Sequence, residues 1–322
     1  MGRGRCALLE AVFVKESTLQ VLIAEDDRVS RRILQSTLAK WGYDVVVTRD
    51  GDQAWSVLQR PDAPSLAIVD WMMPGLDGLE LCRRVRERHE PSRSYTYIIL
   101  LTGNSQREDI ITGMDAGADD YVTKPFDSGE LRARLRAAQR VLDLEAQLLQ
   151  SQQALQHQAN HDSLTGLLNR SAILGILVKE LTRAQREGKP VAVILADIDY
   201  FKRINDTHGH EAGDVALRET ARTMQAAMRP YDTIGRYGGE EFLIVMPGCD
   251  EPTAAQRAEG IRRSVGKAEI IAAGQAISLT VCMGVTAWHE GSPVSTDTLI
   301  QAADAAMYSA KRSGRNRVVM TV

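Results

Sequence analysis

Residues 236–242 read Arg-Tyr-Gly-Gly-Glu-Glu-Phe, a pair of glycines followed directly by two adjacent carboxylates. The flanking segments, 232–234 and 243–247, have the composition of strands, so the sequence predicts a hairpin. Two glycines allow positive φ at the reversal and leave no side chain in the way of a molecule lying across the turn. The two glutamates begin the second strand and are expected to point to opposite faces, so only one addresses a given metal or hydroxyl easily.

Such a turn also occurs on ordinary protein surfaces, and a second segment decides between the two interpretations. Residues 197–214 read Asp-Ile-Asp-Tyr-Phe-Lys-Arg-Ile-Asn-Asp-Thr-His-Gly-His-Glu-Ala-Gly-Asp and lead from the apolar run 191–196 into a helix. Together the two segments resemble the GGDEF family of diguanylate cyclases, in its Gly-Gly-Glu-Glu-Phe form. The resemblance covers residues 160–320. It includes an opening motif, His-Asp-Ser-Leu-Thr-Gly-Leu-Leu-Asn-Arg at 161–170, which ties the incoming helix to the catalytic core.

The activity implied by this resemblance is the condensation of two GTP molecules into cyclic di-GMP and two pyrophosphates. Each 3′-hydroxyl attacks the other α-phosphate, which requires a metal to spread the phosphate charge and a group to polarise the hydroxyl. The resemblance makes Asp197 and Glu240 the principal Mg²⁺ ligands, assisted by the Ile198 carbonyl. Glu241 helps to bind metal or activates the hydroxyl, and the sequence leaves that division open.

Further positions match the substrate contacts of the family. Asn205 and Asp214 are implied to read the guanine edge, and Asp214 is also predicted to cap a helix beginning at Val215. Phe201 and Lys202 approach the phosphates through backbone N–H groups.

Four more residues are implied to surround the nucleotide. Lys311 and Arg315 would hold the β- and γ-phosphates, while Gly238 and Gly239 give the substrate room at the turn. Apart from the resemblance, the two basic residues are equally consistent with the ordinary end of a helix. Because each such site holds one GTP, two copies must face each other, so the family mechanism implies a homodimer.

A second ligand site is implied by Arg229-Pro-Tyr-Asp232, an Arg-x-x-Asp motif separated from the glycine pair by five residues. This is the spacing of the family's allosteric inhibitory site for the product. Arginine binds a guanine edge or phosphate bidentately, and a carboxylate accepts from guanine N–H groups. The alternative is a local Arg–Asp pair. Gly260 stands where relatives often carry a second arginine, and Arg257 and Arg262 are expected to point elsewhere.

The first part of the chain alternates strand and helix patterns about five times. This alternation predicts a parallel, doubly wound α/β sheet, with chemistry gathered at the carboxyl ends of the strands. The predicted strands are 20–24, 44–48, 66–70, 97–101 and 119–122.

Polar residues stand at those strand ends: Glu25, Asp26 and Asp27, then Asp70, then Thr102, then Lys124. Any one of these acids alone would be a helix cap or a solvated loop residue. Carboxylates that converge in one cleft repel each other unless a hard cation neutralises them, and Mg²⁺ prefers such oxygen ligands. A lysine and a hydroxyl opposite them suit an acyl phosphate.

This set resembles the receiver domain of two-component response regulators, over residues 18–140. The resemblance implies that Glu25 and Asp26 hold Mg²⁺, with Asp27 a less certain third acid, and that Asp70 accepts a phosphoryl group. The donor would be a cognate histidine kinase or phosphotransfer protein. The other implied positions are the metal-binding carbonyl of Met72, the phosphoryl contacts Thr102 and Lys124, the aromatic switch Tyr121, and Pro125 after a cis peptide.

Between the two parts, residues 128–159 predict one long helix, because no proline interrupts them. Leu131, Leu135, Ala138 and Leu142 step by four, three and four, which is a coiled-coil spacing, and a displaced seam continues through 141–155. The alternative for the first turns is a receiver helix packed on its own sheet. The sequence favours pairing with a second copy.

Composition sets the remaining limits. The net charge of −3 gives no basic field for nucleic acid, and no apolar run is long enough to insert into a membrane. Four cysteines without metal or redox spacing suit a reducing cytoplasm.

The sequence therefore predicts a receiver-regulated cyclase, and three other functions are less favoured. A degenerate cyclic di-GMP sensor would have lost some of the matched residues, a transcription factor needs a basic recognition helix, and a phosphodiesterase needs a further domain. The predicted division is an N-terminal extension 1–18, a receiver domain 19–127, a helical coiled-coil linker 128–159, and a nucleotidyl-cyclase-like α/β GGDEF domain 160–322.

Overall fold

The computed structural model describes residues 19–88, 95–103, 107–272, 274–291 and 295–321. The predicted extension 1–18 lies outside these residues. The chain separates into two compact units, with the boundary between Ser151 and Gln152. Among the described residues, no helix is both long and apolar enough to cross a membrane.

The described strands of the first unit are β1 (Gln20–Ala24), β2 (Asp44–Thr48), β3 (Leu66–Asp70), β4 (Tyr97–Thr102) and β5 (Asp120–Thr123). Its helices are α1 (Arg28–Lys40), α2 (Gly51–Leu58), α3 (Gly78–Glu87), α4 (Arg107–Asp115) and α5 (Ser128–Asn160). The strands form an all-parallel sheet in the order β2-β1-β3-β4-β5. Two buried clusters line its opposite faces, one packed by α2 and α3 and the other by α1 and α5. The predicted fold of this part is confirmed, since all five strands appear within one residue of their predicted bounds.

The long helix α5 confirms the predicted helical segment but changes the interpretation of its seam. Leu131, Leu135 and Ala138 are fully buried in the core of the first unit, where Leu142 also packs. The residues with four-three-four spacing therefore pack α5 against the sheet of its own unit. An amphipathic helix and a coiled coil share this spacing, so the sequence alone does not distinguish them. Beyond this stretch the apolar side chains of α5 are exposed, namely Val141, Leu144, Leu148, Leu149 and Leu155.

The described strands of the second unit are β6 (Val191–Ile198), β7 (Thr233–Arg236), β8 (Glu241–Pro247), β9 (Ile270–Ala272), β10 (Gln275–Ile277), β11 (Val281–Trp288) and β12 (Val318–Met320). Its helices are α6 (Arg170–Glu187), α7 (Phe201–His208), α8 (His210–Ala226), α9 (Glu251–Lys267) and α10 (Thr296–Arg312). Five of the strands form a mixed sheet in the order β12-β11-β6-β8-β7, in which β6 is the central strand. β6 pairs antiparallel with both β8 and β11, while β11 and β12 pair in parallel. All eight residues of β6 are buried, as the apolar run predicted.

One helix start differs from the sequence prediction. Asp214 does not cap a helix, because α8 begins at His210 and Asp214 lies within its second turn. Gly209, with φ 85°, separates α7 from α8 and allows the second helix to begin a turn earlier. Residues near the N-terminus of a helix share the preference of capping residues for acids, so sequence cannot separate the two positions.

Candidate functional site

The glycine turn joins β7 to β8 as predicted, with Arg236 opposite Phe242. Neither glycine takes a positive φ, and the two differ in how much space surrounds them. A Cβ on Gly238 would lie 2.4 Å from a carboxylate oxygen of Glu241, whereas a Cβ on Gly239 would meet nothing within 4 Å. The turn therefore brings Glu241 tightly against its backbone and leaves an open face at Gly239.

Three carboxylates gather where β6 ends beside this turn. The register pairs Asp197 with Glu241, and the backbone N–H of Ile198 donates to the Glu240 carbonyl at 3.3 Å. Burial, followed by the nearby Asp197 charge, raises the pKa of both Glu240 and Glu241. Burial also raises the pKa of Asp197, although its hydrogen bond to Lys311 opposes this. Asp197 is buried and the two glutamates are partly buried. Such acids with raised pKa values suit a divalent cation, because a cation restores their charged forms.

Two basic residues from the end of α10 and the loop after it approach the same acids. Lys311 Nζ lies 2.7 Å from Asp197 Oδ2, although the two residues are far apart in sequence. Arg315, with φ 60°, places its guanidinium over the ring of Tyr200, 4.2 Å from the centroid. The structure thus assembles the predicted acids and the predicted phosphate-binding residues in one place.

The predicted base-reading residues lie on the adjacent helix pair α7–α8. The Asn205 amide packs so closely on α8 that a Cβ at Gly213 would lie 1.8 Å from Asn205 Oδ1. Phe201 is buried beneath this pair, while Lys202 and Asp214 are exposed. The sequence motif predicts no role for Gly213. The structure shows that its lack of a side chain allows α7 and α8 to approach each other here.

A contact between Arg236 and Asp162 ties the opening motif to the glycine turn. Arg236 Nη1 lies 3.1 Å from Asp162 Oδ2, and its Nη2 donates to the Gly239 carbonyl at 2.7 Å. Arg170, from the same motif, lies over the ring of Tyr237. The segment 161–170 therefore contacts the two residues that lead into the turn, Arg236 and Tyr237.

The first unit has its own acidic site at the carboxyl ends of its strands. Oxygens of Glu25, Asp26 and Asp70 all lie within 4.8 Å of one another. Lys124 Nζ bridges two of them, 2.7 Å from Glu25 and 2.9 Å from Asp70. Burial raises the pKa of Glu25, while Lys124, despite its own burial, has its pKa raised by these two carboxylates.

The remaining residues expected at this site take different places. Thr102 is buried at the end of β4, Met72 is exposed in the loop after β3, and the peptide bond before Pro125 is cis. Asp27 is not in the acidic cluster, because its carboxylate caps α1 by accepting from two backbone N–H groups. Tyr121 lies under a guanidinium of α5, that of Arg134.

Comparisons with known proteins find a family match in each of the two units. Residues 21–136 match the response regulator receiver domain, and residues 159–317 match the GGDEF domain of diguanylate cyclases. Response regulator PleD of Caulobacter vibrioides is 32% identical over 309 residues, 93% of this chain and 65% of PleD. Diguanylate cyclase DosC of Escherichia coli is 43% identical over 163 residues, 50% of this chain and 35% of DosC. A crystal structure of the coiled coil and GGDEF domain of DgcB from Caulobacter crescentus, in complex with c-di-GMP, is 30% identical. It covers 59% of this chain and 98% of that chain, with a TM-score of 0.53.

The chain belongs to the GGDEF family. Its GGDEF domain follows a receiver domain, so both resemblances seen in the sequence are confirmed. The chain spans less than two-thirds of PleD and about a third of DosC.

The Arg-x-x-Asp motif of this GGDEF domain has a geometry that the sequence did not indicate. The Asp232 side chain is fully buried and forms an ion pair with Arg257 of α9. Arg257 was expected to point away, but it lies one turn before Gly260, and residues three apart share a helix face. The Arg229 guanidinium is directed outward and donates to the Tyr231 hydroxyl at 3.0 Å, while its backbone N–H donates to Asp232.

Proposed function

We propose that the chain is a phosphorylation-regulated diguanylate cyclase, which condenses two GTP into cyclic di-GMP and two pyrophosphates as a homodimer in the cytoplasm. One observation carries this proposal. Lys311 contacts Asp197 directly at the edge where Glu240 and Glu241 meet β6. The residue proposed to bind phosphate therefore lies beside those proposed to bind metal. A degenerate binding module would not need both sets.

The residues divide the work by their positions. Asp197, Glu240 and Glu241, with the Ile198 carbonyl, would hold Mg²⁺, which when bound spreads the phosphate charge and polarises the attacking hydroxyl. Lys311 is held near the acids and would bind phosphate oxygens as a point charge.

The base is proposed to lie against α7 and α8. Asp214, exposed on α8, would accept from the guanine N1–H and N2–H₂ groups, and the Asn205 amide would complete the edge. The packing of Asn205 against Gly213 fixes that amide before substrate arrives. The backbone N–H groups at Phe201 and Lys202, in the first turn of α7, would face the phosphates.

The receiver domain is proposed to regulate this reaction. Glu25, Asp26 and Asp70 offer the oxygen ligands that Mg²⁺ prefers, and Asp70 would take the phosphoryl group from a histidine kinase or phosphotransfer protein. Thr102 and Lys124 would hold the phosphoryl oxygens, with the Met72 carbonyl on the metal. Tyr121 would change its side-chain position when the Thr102 hydroxyl moves towards the phosphoryl group, and this would alter the contacts of Tyr121 with its neighbours.

The decisive experiment is incubation of the purified chain with GTP and Mg²⁺, with and without beryllofluoride, followed by identification of the product by mass spectrometry. We expect cyclic di-GMP and pyrophosphate, formed faster with beryllofluoride. Unconverted GTP, together with tight binding of added cyclic di-GMP, would show a binding module instead.

Dimerisation is proposed to use the exposed part of α5. Val141, Leu148 and Leu155 repeat every seven residues and are 44%, 59% and 65% exposed, which suits a parallel helical pair. We expect Leu148→Glu to shift the dimer to monomer and to lower the specific activity at least roughly ten-fold, since each charge in the seam would need burial. Gln153→Glu, on the opposite side of the repeat, is the matched control.

Sizing with light scattering across a concentration series, alongside activity, tests the seam. A dimer of Leu148→Glu as stable as that of Gln153→Glu would mean that α5 does not pair.

Product inhibition is proposed to depend mainly on Arg229. Its guanidinium is exposed and can turn from Tyr231 to a guanine edge, whereas the Asp232 carboxylate is already held by Arg257. We expect Arg229→Ala to raise the inhibitory concentration of cyclic di-GMP roughly ten-fold or more, the usual loss for a bidentate charged contact.

Asp232→Ala is expected to act differently, because it leaves the mostly buried guanidinium of Arg257 without its ion-pair partner. It should lower the free energy of unfolding by about 3–5 kcal/mol. Inhibition curves for both variants and thermal melts separate the two effects. Equal inhibition of Arg229→Ala and wild type would leave the motif with a structural role alone.

A further inference from the structure

Asp199 is a buried carboxylate that the proposed reaction does not use. It follows β6 directly, is 4% exposed, and accepts hydrogen bonds from two segments that are distant in sequence. Thr280 Oγ1 donates at 2.6 Å, the Cys282 thiol at 2.8 Å, and the backbone N–H of Asn316 at 2.9 Å. The Asp199 N–H in turn donates to the Thr280 carbonyl at 2.9 Å. A buried carboxylate with this many donors is fixed in position and fixes its donors in return.

The backbone around this carboxylate is unusual. Within the described ranges, the non-glycine residues with positive φ are Tyr200 at 56°, Arg315 at 60° and Asn316 at 47°. All three adjoin Asp199: Tyr200 follows it in sequence, Asn316 donates to it, and Arg315 precedes Asn316. Left-handed backbone is unfavourable for residues with a Cβ and persists only where the surroundings impose it. The hydrogen bond from Asn316 to Asp199 is such a constraint.

The side chain of Arg315 is held as firmly as its backbone. Its guanidinium lies 4.2 Å above the Tyr200 ring centroid, and its Nη1 donates to the Tyr200 hydroxyl at 3.1 Å. Asp199 thus fixes the backbone beside Arg315, and its sequence neighbour Tyr200 fixes the guanidinium. Tyr200 is 57% exposed, so this pair faces solvent where a ligand can reach it.

We propose that Asp199 and Tyr200 are positioning residues that set Arg315 to receive the terminal phosphates of the substrate triphosphate. The inference rests on the proposed cyclase function and deepens it. A guanidinium binds phosphate oxygens in a fixed, bidentate geometry, so its direction matters more than that of a lysine. Ordering a long, flexible side chain before binding removes an entropic cost from the binding step.

The test compares Asp199→Asn, Tyr200→Leu and Arg315→Ala, with Asp206→Asn as the matched control. Asp206 gives the same carboxylate-to-amide change at an exposed position of α7. Initial rates give KM and kcat for GTP. Binding of a non-hydrolysable GTP analogue is compared with binding of GMP, which lacks the terminal phosphates.

For Asp199→Asn and Tyr200→Leu we expect KM for GTP to rise roughly ten-fold, as for loss of one charge-assisted contact, with kcat nearly unchanged. Analogue binding should weaken equally, and GMP binding should not change. In the Arg315→Ala background, Asp199→Asn should add nothing, because the residue it positions is gone. Asp206→Asn should resemble wild type.

Three results would overturn the proposal. They are an unchanged KM in both variants, an equal loss of GMP and analogue binding, or a full additional loss from Asp199→Asn when Arg315 is already alanine. Should Asp199→Asn fail to fold, Tyr200→Leu still decides, because that ring is exposed. If wild type makes no cyclic di-GMP, the cyclase proposal fails, and analogue binding to the same variants still tests the positioning of Arg315.

Discussion

Glu240→Gln is expected to reduce cyclic di-GMP synthesis on the order of 10³-fold or more, while the protein remains folded. Glu240 directly precedes β8, beside the end of β6. Its pKa is raised mainly by burial and further by the nearby Asp197 charge. An amide of nearly the same shape removes one anionic ligand from the proposed metal site, and metal-assisted charge stabilisation contributes several kcal/mol to such reactions.

The same substitution should not destabilise the fold. A carboxyl whose pKa is raised on folding binds its proton more tightly in the folded state, so folding stability decreases as pH rises through that raised pKa. Replacing Glu240 by glutamine removes this penalty, and we expect a thermal midpoint at neutral pH equal to or above that of wild type without metal.

Turnover by mass spectrometry, thermal melts and sizing give the three measurements. Glu269→Gln, at an exposed position after α9, is the matched control and should keep full activity. Turnover of Glu240→Gln within a few-fold of Glu269→Gln would mean that Asp197 and Glu241 suffice, and that Glu240 is misassigned.

The sequence predicts the parts of this molecule that are set by local pattern. Strands β1 and β3 of the receiver domain are buried apolar runs with acids at their ends, so periodicity and composition place them without knowledge of the fold. The glycine turn was equally evident, since Gly238 and Gly239 are followed at once by acids.

What the sequence could not give depends on contacts between distant residues. The seam of Leu131, Leu135 and Ala138 has one spacing but two possible partners, and only the folded receiver sheet decides between them. The pairing of Asp232 with Arg257 joins residues that are 25 positions apart and needs the packing of α9. In each case the sequence pattern identifies the apolar or charged residue, but the residue that it contacts depends on the tertiary structure.

Asp199 illustrates the same limit within the site. It lies two residues after Asp197 and appears in sequence as one more acid of the same segment. Its separate role follows only from its donors on β11 and in the loop before β12, which are 81 to 117 positions away. Burial and hydrogen-bond partners, rather than residue type, distinguish an acid that binds metal from one that positions an arginine.

Asp70→Asn is expected to abolish stimulation by beryllofluoride while the basal cyclase rate is retained. Asp70 ends β3, is 6% exposed, and lies 2.9 Å from Lys124, in the place where a phosphoryl group would form its acyl bond. Stimulation requires a ligand that stabilises one arrangement of the receiver over another, and such coupling is usually worth about 1–3 kcal/mol, or roughly 5–150-fold. Asparagine preserves the shape and the contact with Lys124 but offers no carboxylate oxygen to the phosphoryl mimic.

The control is Asp62→Asn, an exposed acid in the turn after α2, which should respond to beryllofluoride as wild type does. Rates with and without beryllofluoride at fixed protein concentration give the ratio for each variant, and sizing shows whether the oligomeric state changes with it. A ratio near one for Asp70→Asn, beside a normal ratio for Asp62→Asn, places the switch at Asp70.

Because α5 begins in the core of the receiver domain and continues to Asn160, a change at this site has one continuous element along which to act on the exposed seam of Val141, Leu148 and Leu155. Undiminished stimulation of Asp70→Asn would remove both the phosphoacceptor and this route of regulation.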